Sequence, residues 1–355
     1  MAAFLHVAHR HNFEARILRR ERVFRERSNP LADFTDGELY SRYRFDRNGI
    51  LFISQLLREE IQSPTERSCA IPAEIKVIIA LQFYACGTFQ RTIGDTIKIS
   101  QSSVSRIVSI VSSSLARKLA EFVRWPAAAD EQNIKRGFFT IAGFPGVVGL
   151  IDGTHVRILA PSEHEEQFVN RKNYHSINVQ VVVDNRCVFT QINAQWPGST
   201  HDSRVLRESR LADVFGRHRP AGRGENNEEG YLLGDTGYPS KPWLLTPFLQ
   251  AGNRAEARYN GAHKTTRSLV ERTIGQWKRR FHCLHGEIRL SPERTCRVIA
   301  ACAVLHNIAK QRGLPDIEED HMNNPPHPQP EQPVHHDDGN LVRNHVVHTY
   351  FQHHR

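Results

Sequence analysis

Five consecutive apolar residues, Val147-Val148-Gly149-Leu150-Ile151, run directly into an aspartate, Asp152. An unbroken apolar run of that length, opened by Phe144-Pro145-Gly146, reads as a strand buried on both faces, and such a strand must be covered on either side. Further extended runs follow at Ser176 to Val183 and Cys187 to Ala194, with Asp184-Asn185-Arg186 as the hairpin turn between them, and again at Tyr231-Leu232-Leu233-Gly234. Helical patterns occupy Leu206 to Phe215, Arg267 to Phe281 and Pro292 to Lys310. The fold class is therefore mixed α/β, a sheet flanked by helices.

Upstream the chain reads as all-helical. Leu39, Tyr43 and Phe45 lead into Ile50, Ile53, Leu57 and Ile61, and Ser63-Pro64 stops the pattern. A second helix opens at Pro72 and stops at Gly87. Thr88 to Ile97, the turn Lys98-Ile99-Ser100 and the longer run Gln101 to Leu119 then have the proportions of a helix-turn-helix. Its second helix would carry small hydrogen-bonding residues and Arg106 at the end that meets DNA. The same residues read equally well as an ordinary helical hairpin with Ser100 as its N-cap.

Charge narrows the partner. The net charge is +9, yet residues 315–355 hold seven acids against two arginines, which leaves +14 on residues 1–314. Such a surplus on the folded part points to a polyanion, most simply nucleic acid. Residues 1–34 form a basic segment; seven arginines interleaved with Glu14, Glu21 and Glu26 suit an exposed helix of mixed charge better than a targeting sequence. The expected organisation is this segment, a helical region over 35–145, a catalytic domain over 146–314 and a tail over 315–355 too rich in Pro, His and acids to fold. Six cysteines without a repeating spacing and the lack of a secretory signal fit an intracellular setting, and no apolar stretch reaches membrane-spanning length.

Three acids stand where a sheet enzyme would place a metal site: Asp152 ending the buried strand, Asp235 just after the Tyr231 strand, and Glu271 on a helix. Carboxylates from separate elements are what a pair of hard divalent cations needs to activate water and neutralise a departing oxygen in phosphodiester cleavage. Each acid also has a plain structural reading. Asp152-Gly153 and Asp235-Thr236-Gly237 are turn signals, and Glu271 can pair with Arg267 one helical turn back.

The four strings around these acids, Ile151-Asp152-Gly153-Thr154-His155, Trp196-Pro197-Gly198-Ser199-Thr200-His201-Asp202-Ser203, Leu233-Gly234-Asp235-Thr236-Gly237-Tyr238-Pro239 and Val270-Glu271-Arg272-Thr273-Ile274-Gly275-Gln276-Trp277-Lys278, resemble in order and spacing the DDE transposases of the PIF/Harbinger group. The resemblance covers most of the chain. It implies an RNase H-like fold with Asp152, Asp235 and Glu271 as the metal-binding triad, 83 and 36 residues apart, and Asp202 as an additional metal ligand or its neighbour. It further implies Mg²⁺ or Mn²⁺ as cofactor, DNA as substrate and a separate Myb-like DNA-binding protein as partner, with a distribution over nucleus and cytoplasm. A homo-oligomer is compatible with it. Arg171, Lys172 and Lys278 join Arg106 as candidate DNA contacts, and Arg279 and Arg280 would extend that basic surface.

Two other readings compete. A catalytically idle DNA-binding or scaffold protein could keep the same fold. Cys283, His285, Cys296, Cys302 and His306 offer soft zinc ligands, although a satisfied core histidine is the commoner fate of a residue like His306 in an apolar helix.

Overall fold

The computed structural model describes residues 29–63, 65, 70–217, 230–317 and 337–352. The expectations for the Arg-rich start (1–28), Cys69, the loop at 218–229 and tail residues 318–336 and 353–355 fall outside these. Ahead of the sheet the described chain is helical: α1 (Asp36–Tyr43), α2 (Arg47–Ile61), α3 (Ala73–Cys86), α4 (Gln90–Ile97), α5 (Gln101–Arg117) and α6 (Ala128–Ala142). Asp46 caps α2 by accepting from the Gly49 amide at 2.8 Å, and Ile50, Ile53, Leu57 and Ile61 bury its apolar stripe. Helix α3 is apolar on all sides and is packed by α1, α2 and α5. It ends at Gly87 with φ +64, where a Cβ would lie 2.9 Å from the Cys283 backbone, so both conformation and space demand glycine.

Helices α4 and α5 are joined by a short turn with Lys98 left-handed and Ser100 accepting from the Ser103 amide at 3.2 Å. Val104, Ile107, Val108, Val111 and Leu115 of α5 are buried, while Gln101, Ser102 and Arg106 are exposed. This is helical-hairpin packing with an exposed polar end.

Five strands follow in the spatial order β3-β2-β1-β4-β5: β1 (Val147–Arg157), β2 (Ser176–Val183), β3 (Phe189–Pro197), β4 (Tyr231–Leu233) and β5 (Leu244–Leu245). Strands β1, β2 and β3 pair antiparallel, whereas β4 and β5 run parallel to β1. Strand β1 runs past its expected end at Ile151, and Asp152 pairs across to Val181 inside it. Pairing along the fully buried β2 overrides the Asp-Gly turn signal. Between β3 and β4 lie α7 (Asp202–Arg207) and α8 (Leu211–Arg217), two short helices in place of the single one expected.

Two long helices close the fold, α9 (Arg254–Arg280) and α10 (Pro292–Gln311). Helix α9 begins thirteen residues before the expected start, capped by Asn253, whose side chain accepts from the Glu256 amide at 2.9 Å. Its first half buries Tyr259, His263 and Thr266, a stripe too polar to read as apolar periodicity. In α10, Asn307 fills the core: its amide donates to the Phe189 carbonyl at 2.7 Å and the Phe122 carbonyl at 2.8 Å, and its oxygen accepts from the Phe189 amide at 2.9 Å.

The tail departs from expectation. Residues Asp337–Val346 form α11 and Val347–Phe351 a further turn, with Val346, Val347 and Phe351 buried. The Phe351 ring lies 5.7 Å from the rings of both Phe144 and Tyr259. Average composition hid a local apolar stripe. Among the described residues no helix is long and apolar enough to cross a membrane.

Candidate active site

Strand topology places the acids. Strand β4 covers β1 only as far as Leu150, so Asp152 stands just beyond the end of that parallel pair. Asp235 follows β4 by two residues, held in a turn in which its carboxylate accepts from the Gly237 amide at 3.0 Å. The carboxyl ends of parallel strands are where open α/β sheets leave a crevice for ligands. Helix α9 packs against β1 and brings Glu271 and Arg267 to the same place.

Arg267 joins the three acids. One terminal nitrogen donates to Asp152 at 2.8 Å and lies 3.8 Å from Asp235, and the other donates to Glu271 at 2.7 Å. Burial pushes the Asp152 carboxyl up to about 7; Arg267 opposes this, and the negative charges of Asp235 and Asp202 add to it. Asp235 is raised for the same reasons, burial first. Asp202 enters at the start of α7 and accepts from the Asn178 amide at 3.0 Å. A Cβ on Gly153 would fall 2.7 Å from the Asp202 carboxylate, so only glycine lets that acid lie against β1.

Positive charge gathers beside this cluster. The Lys278 ammonium donates to the His155 carbonyl at 2.8 Å. Burial, with Lys172 nearby, lowers it to about 8. Burial, Lys278, Lys172 and Arg171 together hold the His155 ring at about 4, so it is neutral at physiological pH. Lys172 and Arg171 are exposed, and Arg171 reaches the His201 ring. The four acids and these three cations thus occupy one region, whereas Arg106 lies apart on α5, exposed near Ser103. Arg280 does not extend the basic surface: it is 1% exposed and donates to the Pro315 carbonyl at 2.7 Å.

Reading the sequence missed the centrality of Arg267 and the buried Tyr238. Tyr238 has its hydroxyl pushed well above 10 by burial and by Asp202, Asp152 and Asp235. The i,i+4 spacing to Glu271 signalled half of the Arg267 contacts; the other half is tertiary. The zinc reading loses its key ligand, because His306 is fully buried and its Nε2 donates to the Cys187 carbonyl at 2.9 Å. Among the described residues no three His, Cys, Asp or Glu side chains stand close enough, as placed, to hold a metal ion.

Comparison with known proteins identifies the family. The model of the DDE superfamily endonuclease family matches residues 151–307, the stretch that carries all four acids. The human protein named "Putative nuclease HARBI1" is 39% identical over 312 residues, covering 86% of each chain. The chain belongs to the Harbinger-derived DDE superfamily endonucleases. The Xenopus laevis protein of the same name is 37% identical, covering 81% of this chain and 82% of its own. "Protein ALP1-like" of Arabidopsis thaliana is 30% identical over 71% of this chain and 63% of its own. No solved structure matches. Membership implies an RNase H-like fold for the mixed sheet and supports a nuclease-type function for this DDE endonuclease family member.

Proposed function

We propose that the protein is a divalent-metal-dependent DNA endonuclease that hydrolyses phosphodiester bonds. The observation that carries this reading is the meeting of Asp152 from within β1, Asp235 from the turn after β4 and Glu271 from α9 around a single guanidinium. Three carboxylates, with Asp202 adjoining, exceed the positive charge between them, and hard oxygen donors of this kind suit Mg²⁺ or Mn²⁺. Asp152, Asp235 and Glu271 would hold the ions, with Asp202 as a further or supporting ligand. When bound, two such ions supply the positive charge that acidifies an attacking water and neutralises the departing 3′ oxygen.

The chain's own residues do the rest. Lys278, Lys172 and Arg171 have no acidic partner among the described residues, and they hold the phosphodiester backbone beside the carboxylates. The exposed start of α5, with Arg106, adds a second DNA contact of helix-turn-helix type. A Myb-like protein provides sequence-specific targeting and nuclear entry, giving a distribution over cytoplasm and nucleus.

Nicking of supercoiled plasmid tests the reading. Product is expected with Mg²⁺ or Mn²⁺ and none with chelator. In that assay Asp202→Ala should cost less than Asp152→Ala, because Asp202 makes no ion pair with Arg267 among the described residues; equal losses would put Asp202 in the central set. The low basicity of Lys278 sets a pH dependence. Its ammonium is charged below about 8 and neutral above, so DNA affinity should fall as pH rises through about 8. Fluorescence anisotropy from pH 6.5 to 9.5 checks this, and Lys278→Arg, charged throughout, should remove that component of the fall.

A further inference from the structure

We propose that Arg267 is an internal cation that competes with divalent metal for the acid triad, holding Asp152, Asp235 and Glu271 together in the metal-free protein and giving up their oxygens when metal binds. The inference rests on the metal-site reading above and concerns which state Arg267 stabilises.

The contacts of Arg267 argue for competition. Asp152 and Glu271 each give one oxygen to Arg267 at 2.8 and 2.7 Å, and Asp235 stands 3.8 Å away, so the guanidinium occupies lone pairs that a metal would also seek. A divalent ion on those oxygens would sit in near-contact with a fixed positive charge, because both bind the same atoms. Arg267 is also poorly anchored except through the acids. Its side chain is 16% exposed, and its remaining nitrogen, Nε, is buried without a hydrogen-bond partner. Among the described residues, only the carboxylates hydrogen-bond or ion-pair with the guanidinium at the crevice. Exposure rises from 11% at Asp152 through 30% at Asp235 to 46% at Glu271, so the outer contact can open toward solvent first.

The alternative role is cooperative: Arg267 would orient Glu271 and remain in place beside the metal. The two roles predict opposite signs for one variant. If Arg267 competes, Arg267→Gln should tighten Mn²⁺ binding by about tenfold or more, since a neutral amide neither repels the ion nor occupies both carboxylates. If it cooperates, the same variant should bind Mn²⁺ more weakly.

The experiment is Mn²⁺ titration of the full chain by calorimetry, with thermal melts of the same samples with and without the ion. Competition predicts that Arg267→Gln melts lower than wild type without metal, because its acids have lost their counter-charge, and that Mn²⁺ raises its melting temperature more than that of wild type. Arg267→Lys should fall between the two, a single ammonium being unable to bridge both carboxylates. If Arg267→Gln does not fold, Arg267→Lys alone decides the sign. Equal or weaker Mn²⁺ affinity in the variant overturns the competition while leaving the metal site standing. Absence of Mn²⁺ binding in both wild type and variant overturns the metal site itself, and the competition with it.

Discussion

Replacing Asp152, Asp235 or Glu271 with alanine is expected to lower plasmid nicking by about a thousandfold or more, since each loss removes several kcal/mol of transition-state charge stabilisation. Mn²⁺ affinity should fall in parallel. Circular dichroism separates chemistry from folding, because the helices ahead of β1 bury their own apolar stripes and do not depend on the acids. Asp152 is the most deeply buried of the three and ion-pairs with Arg267, so Asp152→Asn, which keeps the shape, is the safer variant there. Nicking equal to wild type in all the variants would trace the activity to a contaminant.

The second large effect concerns stability. Asn307→Ala should lower the free energy of unfolding by about 3 kcal/mol, read from urea denaturation. The side chain makes three hydrogen bonds, to both backbone groups of Phe189 and to the carbonyl of Phe122. Alanine would strand those groups in a region where Asn307 itself is fully buried, and each unsatisfied buried group costs about 1–3 kcal/mol. The variant tests whether α10 pins the start of β3. A loss under about 1 kcal/mol, the scale of a single ordinary hydrogen bond, would mean that water replaces the side chain.

Legibility differed from element to element for physical reasons. The apolar run to Ile151, the β2 pattern and the hairpin at Asp184 were plain because each is local. The length of β1 was not, since Asp152-Gly153 is turn-like on its own and becomes strand through its pairing with Val181 and Gln180. The first half of α9 escaped because Tyr259, His263 and Thr266 make a polar-aromatic stripe, and its burial depends on partners as distant as Phe144 and Phe351. The same distance effect concealed α11.

At the crevice, the order of the motifs made the meeting of the three acids readable. That Lys278 would turn to the His155 carbonyl, and that Arg267 would pair with Asp152 on another element, follows from how α9 crosses β1 and from no local pattern.

The most direct test is anomalous diffraction from crystals of the full chain grown with Mn²⁺. The account predicts one or two anomalous peaks within about 2.0–2.6 Å of carboxylate oxygens of Asp152, Asp235 and Glu271. Saturating Mn²⁺ with no peak there, and Arg267 still bridging Asp152 and Glu271, would contradict it and leave a catalytically idle scaffold as the reading of this chain.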